Sequence, residues 1–186
     1  MGIFNGIPVY GKKAKQRQKI MCKYMKAKLC SYVGKSWLDV GKKNEFTSYI
    51  NVQLSVPCDN TSGDLDFEFS APNNKYDVIL FSHVIEHLMN PLLTLCRLRE
   101  FMGSDSVMFV AMPDRGRLLW TRNHFHEIDS YRFVELCKKA QLQVDDRFTF
   151  RVYDYWWYYF RGFRPLWRLF RERSVVYMVT KDGSTS

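Results

Sequence analysis

Residues 75–91 read Lys75-Tyr-Asp-Val-Ile-Leu-Phe-Ser-His-Val-Ile-Glu-His-Leu-Met-Asn-Pro91, and this stretch decides the fold. Tyr76 to Phe81 is a short apolar run rich in β-branched and aromatic side chains, the pattern of a strand buried on both faces in the middle of a parallel sheet. Polar residues begin where the run stops, with Ser82, His83, Glu86 and His87. In an open α/β sheet the ligand crevice lies outside the carboxyl ends of the strands, which makes these residues candidates for its wall. Asn90 and Pro91 read as the cap and first residue of a helix. An asparagine oxygen satisfies an orphan N–H there, and proline has no N–H to leave unpaired.

Working outward, Trp37 to Val40, broken only by Asp39, and Val107 to Met112 are further apolar runs, so a three-layer α/β domain is expected with these as its central strands. Pro91 to Met102 continues the helix and Gly103 is expected to end it. Phe46 to Ile50 gives little more than one helical turn, Asn51 to Val56 alternates like a second strand, and Pro57 to Gly63 reads as loop. Asp129 or Ser130 caps a helix with Phe133, Val134, Leu136, Cys137 and Ala140 inward. Gln143 to Val152 and Ser174 to Lys181 are the last two strands.

The stretch Tyr-Asp-Val-Ile-(x)4-Val-Ile-Glu-His-Leu-(x)2-Pro resembles the fourth-strand signature of class I S-adenosylmethionine-dependent methyltransferases, in the branch acting on small molecules and lipids. Ser36-Trp-Leu-Asp-Val-Gly41 is similar to the first strand and the start of that family's cofactor loop. The resemblance implies a Rossmann-like sheet, mostly parallel with an antiparallel last strand. Only 34 residues lie between Gly41 and Tyr76, too few for two full strand-helix units, so the chain is shortened between the first and fourth strands. The family usually continues Asp-x-Gly-x-Gly-x-Gly, whereas Gly41 is followed here by Lys42-Lys43-Asn44-Glu45-Phe46. Either Lys42 or Lys43 and a helix amino terminus near Asn44 hold the cofactor's carboxylate instead, or cofactor binding has weakened or gone.

The resemblance also implies roles. Asp39, Gly41 and Asp59 would bind S-adenosylmethionine, with Asp59 on the ribose. Asp64, Leu65, Asp66 and Phe67 would flank the adenine, and His83 and Glu86 would line the cofactor cavity. His87, His124 and His126 are the candidate bases, since a neutral imidazole accepts a proton near physiological pH. Taken alone, each aspartate reads equally as a loop residue and each histidine as a loop hydrogen-bonder. No His/Cys spacing indicates a metal site, and none is assigned.

The net charge of +9 is unevenly placed: residues 1–38 hold nine Lys or Arg and no acid, and the remainder balances at 19 and 19. This divides the chain into a basic helical arm, residues 1–35, and a methyltransferase-like α/β domain, residues 36–186. Lys12 to Tyr32 reads as a helix with Met21, Met25 and Leu29 on one stripe, either a cap on the sheet or a binder of anionic surfaces. Residues 153–173 form an insertion with ten aromatics. There Trp156, Phe160, Phe163, Trp167 and Phe170 run beside Arg161, Arg164, Arg168 and Arg171, reading as a membrane-interface element, a lid or a homodimer contact. Five cysteines without a Cys-x-x-Cys pair point to a reducing cytosol, and neither a leader nor a membrane span is expected. The function expected is methyl transfer to an oxygen or nitrogen of a small or lipid-linked acceptor, on a cytoplasmic enzyme, peripheral to an anionic membrane. A catalytically inactive, membrane-associated binding protein is the alternative. RNA modification ranks third, because the arm lacks interleaved aromatics for stacking on nucleic-acid bases.

Overall fold

The computed structural model describes residues 12–28, 36–43, 47–48, 51–52, 55–114, 125–126, 128–151 and 173–183. Its centre is β5, Tyr76–Ser82, paired in parallel with β1, Trp37–Asp39, on one side and with β6, Met102–Asp114, on the other. Val78, Ile79, Leu80 and Phe81 are fully buried, as an apolar run with no polar alternation requires. Beyond β1 lies the short parallel β2, Cys58–Asn60. Beyond β6 lies β8, Arg173–Lys181, and then the edge strand β7, Leu142–Arg151, both pairings antiparallel. The order β2-β1-β5-β6-β8-β7 is the expected Rossmann-like sheet with its antiparallel end, and it has one strand-helix unit fewer before β5.

Alternation along the strands sends side chains to two layers. On one face, helix α1, Lys12–Lys28, buries Met21, Cys22 and Met25 against Trp37, Leu80 and Phe109. Tyr24 stacks on Phe148 with ring centroids 4.8 Å apart and donates to Asp146 Oδ2 at 3.1 Å. Lys28 forms an ion pair with that same carboxylate. The described part of the basic arm is thus a helix capping the sheet. On the other face, α2, Pro91–Glu100, and α3, Ser130–Lys139, cover Ile79, Phe81, Met108 and Val110. Both caps form as expected: Asn90 accepts from the Leu93 N–H at 3.2 Å, and Asp129 from the Arg132 N–H at 2.8 Å.

Several local expectations are corrected. Gly103 does not end a helix, because α2 closes at Phe101 and Gly103 lies inside β6, its N–H bonded to Ser106 Oγ at 2.5 Å. The strand Val107 to Met112 extends in both directions, and Pro113 stays in register opposite Ser174. The second strand is not Asn51 to Val56, since Asn51 and Val52 are helical, but Cys58–Asn60 in what had read as loop. The rest of that loop forms a hairpin, β3, Ser62–Asp64, against β4, Glu68–Ser70. The insertion at 153–173 lies outside the described residues except for Arg173, which opens β8.

Gly63 makes the hairpin testable. Its φ is +103°, and a Cβ there would sit 2.5 Å from the Glu68 carbonyl oxygen. Gly63→Ala should cost about 1–3 kcal/mol of unfolding free energy by urea titration. Gly183→Ala, where a Cβ meets nothing within 4 Å, should stay within about 0.5 kcal/mol. Equal effects at the two sites would contradict the hairpin.

Candidate active site

The crevice lies at the carboxyl ends of β1 and β5, which are sheet neighbours although one whole unit separates them in sequence. Asp39 closes β1 and is 2% exposed. Val40 still donates to the Leu80 carbonyl at 2.8 Å, and the chain then turns at Gly41 with φ +114°. Three side chains hold that turn. Thr61 Oγ1 accepts from the Gly41 N–H at 2.8 Å, while Asn60 Nδ2 donates to the carbonyls of Gly41 at 3.2 Å and Asp39 at 3.1 Å. Thr47 Oγ1 donates to Asp39 Oδ2 at 2.5 Å. Sequence reasoning missed Thr47, Asn60 and Thr61, since hydroxyl and amide residues at these spacings form no motif. The only signal was their position near a strand end.

Burial pushes the Asp39 carboxyl up to about 7, and the hydrogen bonds of Thr47 and Asn60 pull the other way. A Cβ on Gly41 would meet nothing within 4 Å. Glycine is therefore needed for conformation while the space above the turn stays open, as a loop that a ligand approaches closely requires.

The other expected site residues fall into distinct groups. Asp59 is level with Leu38, one residue before the Asp39 pairing, and its Oδ2 accepts from Tyr76 Oη at 2.9 Å and Asn73 Nδ2 at 2.8 Å. The β2 side chain brought to the Gly41 turn is that of Asn60. Asp64, Leu65, Asp66 and Phe67 form the tip of the β3–β4 hairpin. Leu65 is buried and its carbonyl accepts from Thr94 Oγ1 at 2.9 Å. Asp64 Oδ1 takes the Asp66 N–H at 3.0 Å, and Asp66 Oδ1 takes those of Met89 and Asn90 at 2.8 and 2.9 Å. This docks the tip beside the amino end of α2 and leaves Phe67 exposed at 69%.

At the end of β5, His83 has φ +54° and donates its N–H to the Ala111 carbonyl at 2.7 Å. Its Nδ1 faces Glu86 Oε1 at 3.4 Å across the start of a 3-10 turn, Ile85–His87. Glu86 is 4% exposed. Burial alone would raise its carboxyl, but the hydrogen bond and charge of His83, aided by His87, carry it below the ordinary range. The Glu86 carbonyl accepts from the N–H groups of Phe125 at 3.0 Å and His126 at 3.5 Å, and His126 Nε2 lies 3.1 Å from the Met89 carbonyl. The structure thus brings His83, Glu86 and His126 together around the 3-10 turn that carries His87. His124 lies outside the described residues.

The profile of a methyltransferase-domain family matches residues 17–175, and the chain belongs to that family. Among curated proteins none matches it in sequence. Solved structures share its fold at low identity. An S-adenosylmethionine-dependent methyltransferase from Archaeoglobus fulgidus is 11% identical with TM-score 0.56, over 91% of this chain and 97% of the other. The Burkholderia thailandensis 1,6-didemethyltoxoflavin-N1-methyltransferase, solved with its substrate and S-adenosylhomocysteine, is 11% identical with TM-score 0.52, over 95% and 92%. The [4+2]-cyclase SpnF is 10% identical with TM-score 0.61, over 96% and 85%, so the fold by itself does not fix a reaction.

The chain thus has the class I methyltransferase fold, and its family membership supports S-adenosylmethionine as the methyl donor. The open, positive-φ turn at Gly41 fits that cofactor. When bound, the cofactor supplies a methyl group made electrophilic by a sulfonium.

The raised Asp39 carboxyl predicts a pH effect. The folded state keeps this proton where the unfolded chain, with an ordinary value of 3.8, has lost it. The group's contribution to stability is thus present below about pH 4 and is lost as pH rises through about 7. Unfolding free energies of the wild type and Asp39→Asn, taken by urea titration at about pH 5 and about pH 8, should diverge by about 1.4 kcal/mol per pH unit within that window, the wild type losing more. A difference that does not change with pH would contradict the buried, proton-holding Asp39.

Proposed function

We propose that the enzyme transfers the methyl group of S-adenosylmethionine to an oxygen or nitrogen of a small acceptor bound over the carboxyl end of β5. The observation that carries this reading is the positive-φ Gly41 turn, bonded by Asn60 and Thr61 with Thr47 holding the Asp39 side chain before it, although the usual later glycines are absent. A loop that had lost its ligand would have no need of such bracing. The reading therefore favours a working enzyme over an inactive binding protein. Methyl transfer depends mainly on positioning, so the chain's task is to hold donor and acceptor in line and exclude water.

A small acceptor is favoured over a lipid-linked one. Met21, Cys22 and Met25 of α1 lie in the core, so the sheet takes the described apolar stripe of this helix, and each basic side chain adds just about 1 kcal/mol at an anionic surface. The Burkholderia thailandensis fold neighbour, an N1-methyltransferase solved with 1,6-didemethyltoxoflavin, supports the same preference. In this reading Asp39 and Gly41 form the floor under the methionine part, Leu65 and Phe67 flank the adenine, and the ribose hydroxyls fall to β2, to Asp59 or Asn60.

Calorimetric titration tests the cofactor assignments. S-adenosylmethionine should bind more weakly than to a glycine-rich relative. Gly41→Ala should lower affinity about tenfold, the equivalent of about 1.4 kcal/mol of turn strain. Of Asp59→Ala and Asn60→Ala, the second should lose more, because it also releases the Gly41 carbonyl. Methyl-tritiated cofactor offered with panels of phenols, carboxylic acids and amines then identifies the acceptor class. No binding at millimolar cofactor would overturn the reading in favour of the inactive protein.

A further inference from the structure

We infer, resting on the methyl-transfer reading above, that the acceptor is an anion, a small molecule bearing a carboxylate or phosphate, and that the basic amino half of α1 gathers it at the crevice. Helix α1 holds eight Lys or Arg and no acid in its 17 residues. Five of them, Lys12, Lys13, Lys15, Arg17 and Lys19, come before Met21.

Contacts fix the course of this helix over the sheet. Lys28 pairs with Asp146 of β7, and Tyr24 stacks on Phe148 of β7 and meets Phe109 of β6 edge-on at 6.4 Å. Ser82 Oγ, at the end of β5, donates to Met21 Sδ at 3.8 Å. From Lys28 back to Met21, α1 therefore crosses from the β7 edge of the sheet to the carboxyl end of β5. Residues 12–20 prolong that line by about 14 Å, past the edge where β5 and β1 end. Arg17 lies one turn before Met21, and Lys19 and Lys23, on either side of it, are exposed. Exposed Lys42 and Lys43 follow the Gly41 turn at the same edge. Much of the chain's basic excess is thus assembled beside the crevice.

Stability does not account for this charge. Lys12, Lys13 and Lys15 stand in the first turn of α1, where the helix dipole favours acids. Lys15 and Lys19, and again Lys19 and Lys23, are like charges four residues apart, which repel. Such charge acts at a distance: a cleft flanked by one sign concentrates ligands of the other sign and speeds their arrival by about 10- to 1,000-fold, with no side chain needing to touch them. Acids at the same edge offset little of it, since Asp39 keeps its proton to about pH 7 and Glu86 faces His83 Nδ1 at 3.4 Å. A bilayer would call for the apolar stripe that α1 gives to the sheet, so the occupant that fits is a dissolved anion.

Two measurements on the full-length protein test this. In ¹⁵N-labelled protein loaded with S-adenosylhomocysteine, amide relaxation is compared for two nitroxides of equal size, one a carboxylate and one an ammonium, at about 10 mM and about 150 mM salt, where charge is felt over about 30 Å and about 8 Å. At low salt the carboxylate should relax residues 41–42 and 82–87 about threefold more than the ammonium does, and residues 103–105, at the opposite edge of the sheet, about equally. Methyl-tritiated S-adenosylmethionine is then offered with carboxylates, phosphate esters, and neutral and cationic compounds of matched size. Anionic members should be methylated, with kcat/KM falling about tenfold between the two salt concentrations at unchanged kcat, while any neutral member moves less than about twofold. In the triple variant Lys12→Glu, Lys15→Glu, Lys19→Glu, whose acids suit a helix amino end, the nitroxide preference should reverse and the salt dependence vanish. Its calorimetric affinity for S-adenosylhomocysteine, which has no net charge, should stay within about twofold of the wild type. Equal relaxation by the two nitroxides at residues 82–87, or a panel in which no anionic member is methylated, would overturn the proposal while leaving the cofactor reading intact. Shifts of the α1 amides by a short RNA duplex at about 150 mM salt, with no anionic member methylated, would assign the charge to nucleic acid and overturn it too. Absence of binding heat for both S-adenosylmethionine and S-adenosylhomocysteine would overturn both. If the triple variant does not fold, the wild-type comparisons still decide.

Discussion

Everything in this molecule depends on β5 being paired on both edges and buried on both faces. A strand so placed has no room for an unpaired polar side chain, and residues 78–81 contain none. Polar groups must wait until the ladder ends, and there they arrive at once as Ser82, His83, Glu86 and His87. Parallel pairing with β1 brings the end of a second strand, Asp39 to Gly41, to the same edge. The candidate active-site crevice is thus the outlet for polarity that a buried parallel sheet refuses.

The same constraint explains how a short chain manages with one loop glycine. A glycine-rich loop turns by having no side chains to obstruct it. Here Thr61 accepts from the Gly41 N–H, Asn60 donates to the Gly41 carbonyl, and Thr47 donates to the Asp39 carboxylate just before the turn; Asn60 and Thr61 are brought close because β2 pairs with β1. The rigidity comes with a cost, because Asp39 lies buried among neutral partners and its carboxyl is pushed up to about 7. The basic arm illustrates a related point. Its amphipathic stripe reads equally well for a membrane or a sheet, and α1 gives it to the sheet through Met21, Cys22 and Met25. No helix among the described residues is long and apolar enough to cross a membrane.

Much of the fold was legible in the sequence where a single physical demand dominated. The largely apolar runs at residues 37–40, 76–81 and 107–112, rich in β-branched and aromatic residues, read as buried strands. Asn90-Pro91 and Asp129 signalled helix starts through the chemistry of capping. Legibility failed where polar residues form strands for tertiary reasons: Cys58–Asn60 is a strand because β1 needs a partner, and its composition resembles a turn. Gly103 misled because glycine ends helices more often than it sits in strands, yet here the chain passes directly from α2 into β6. Within the candidate site, the strand-end residues Asp39, Gly41, His83 and Glu86 were named through the family resemblance. The bracing hydroxyls and the amide of Asn60 could not, since their partners are set only once β1 and β2 lie side by side.

The central claim is that the cofactor sits at the joined ends of β1 and β5. Backbone amide shifts measured on adding S-adenosylhomocysteine to ¹⁵N-labelled protein test it most directly. The account predicts that the largest changes fall on residues 39–42, 60–67 and 82–87. Saturable binding whose largest changes fall instead on the β7–β8 end of the sheet, with those three segments unmoved, would contradict it.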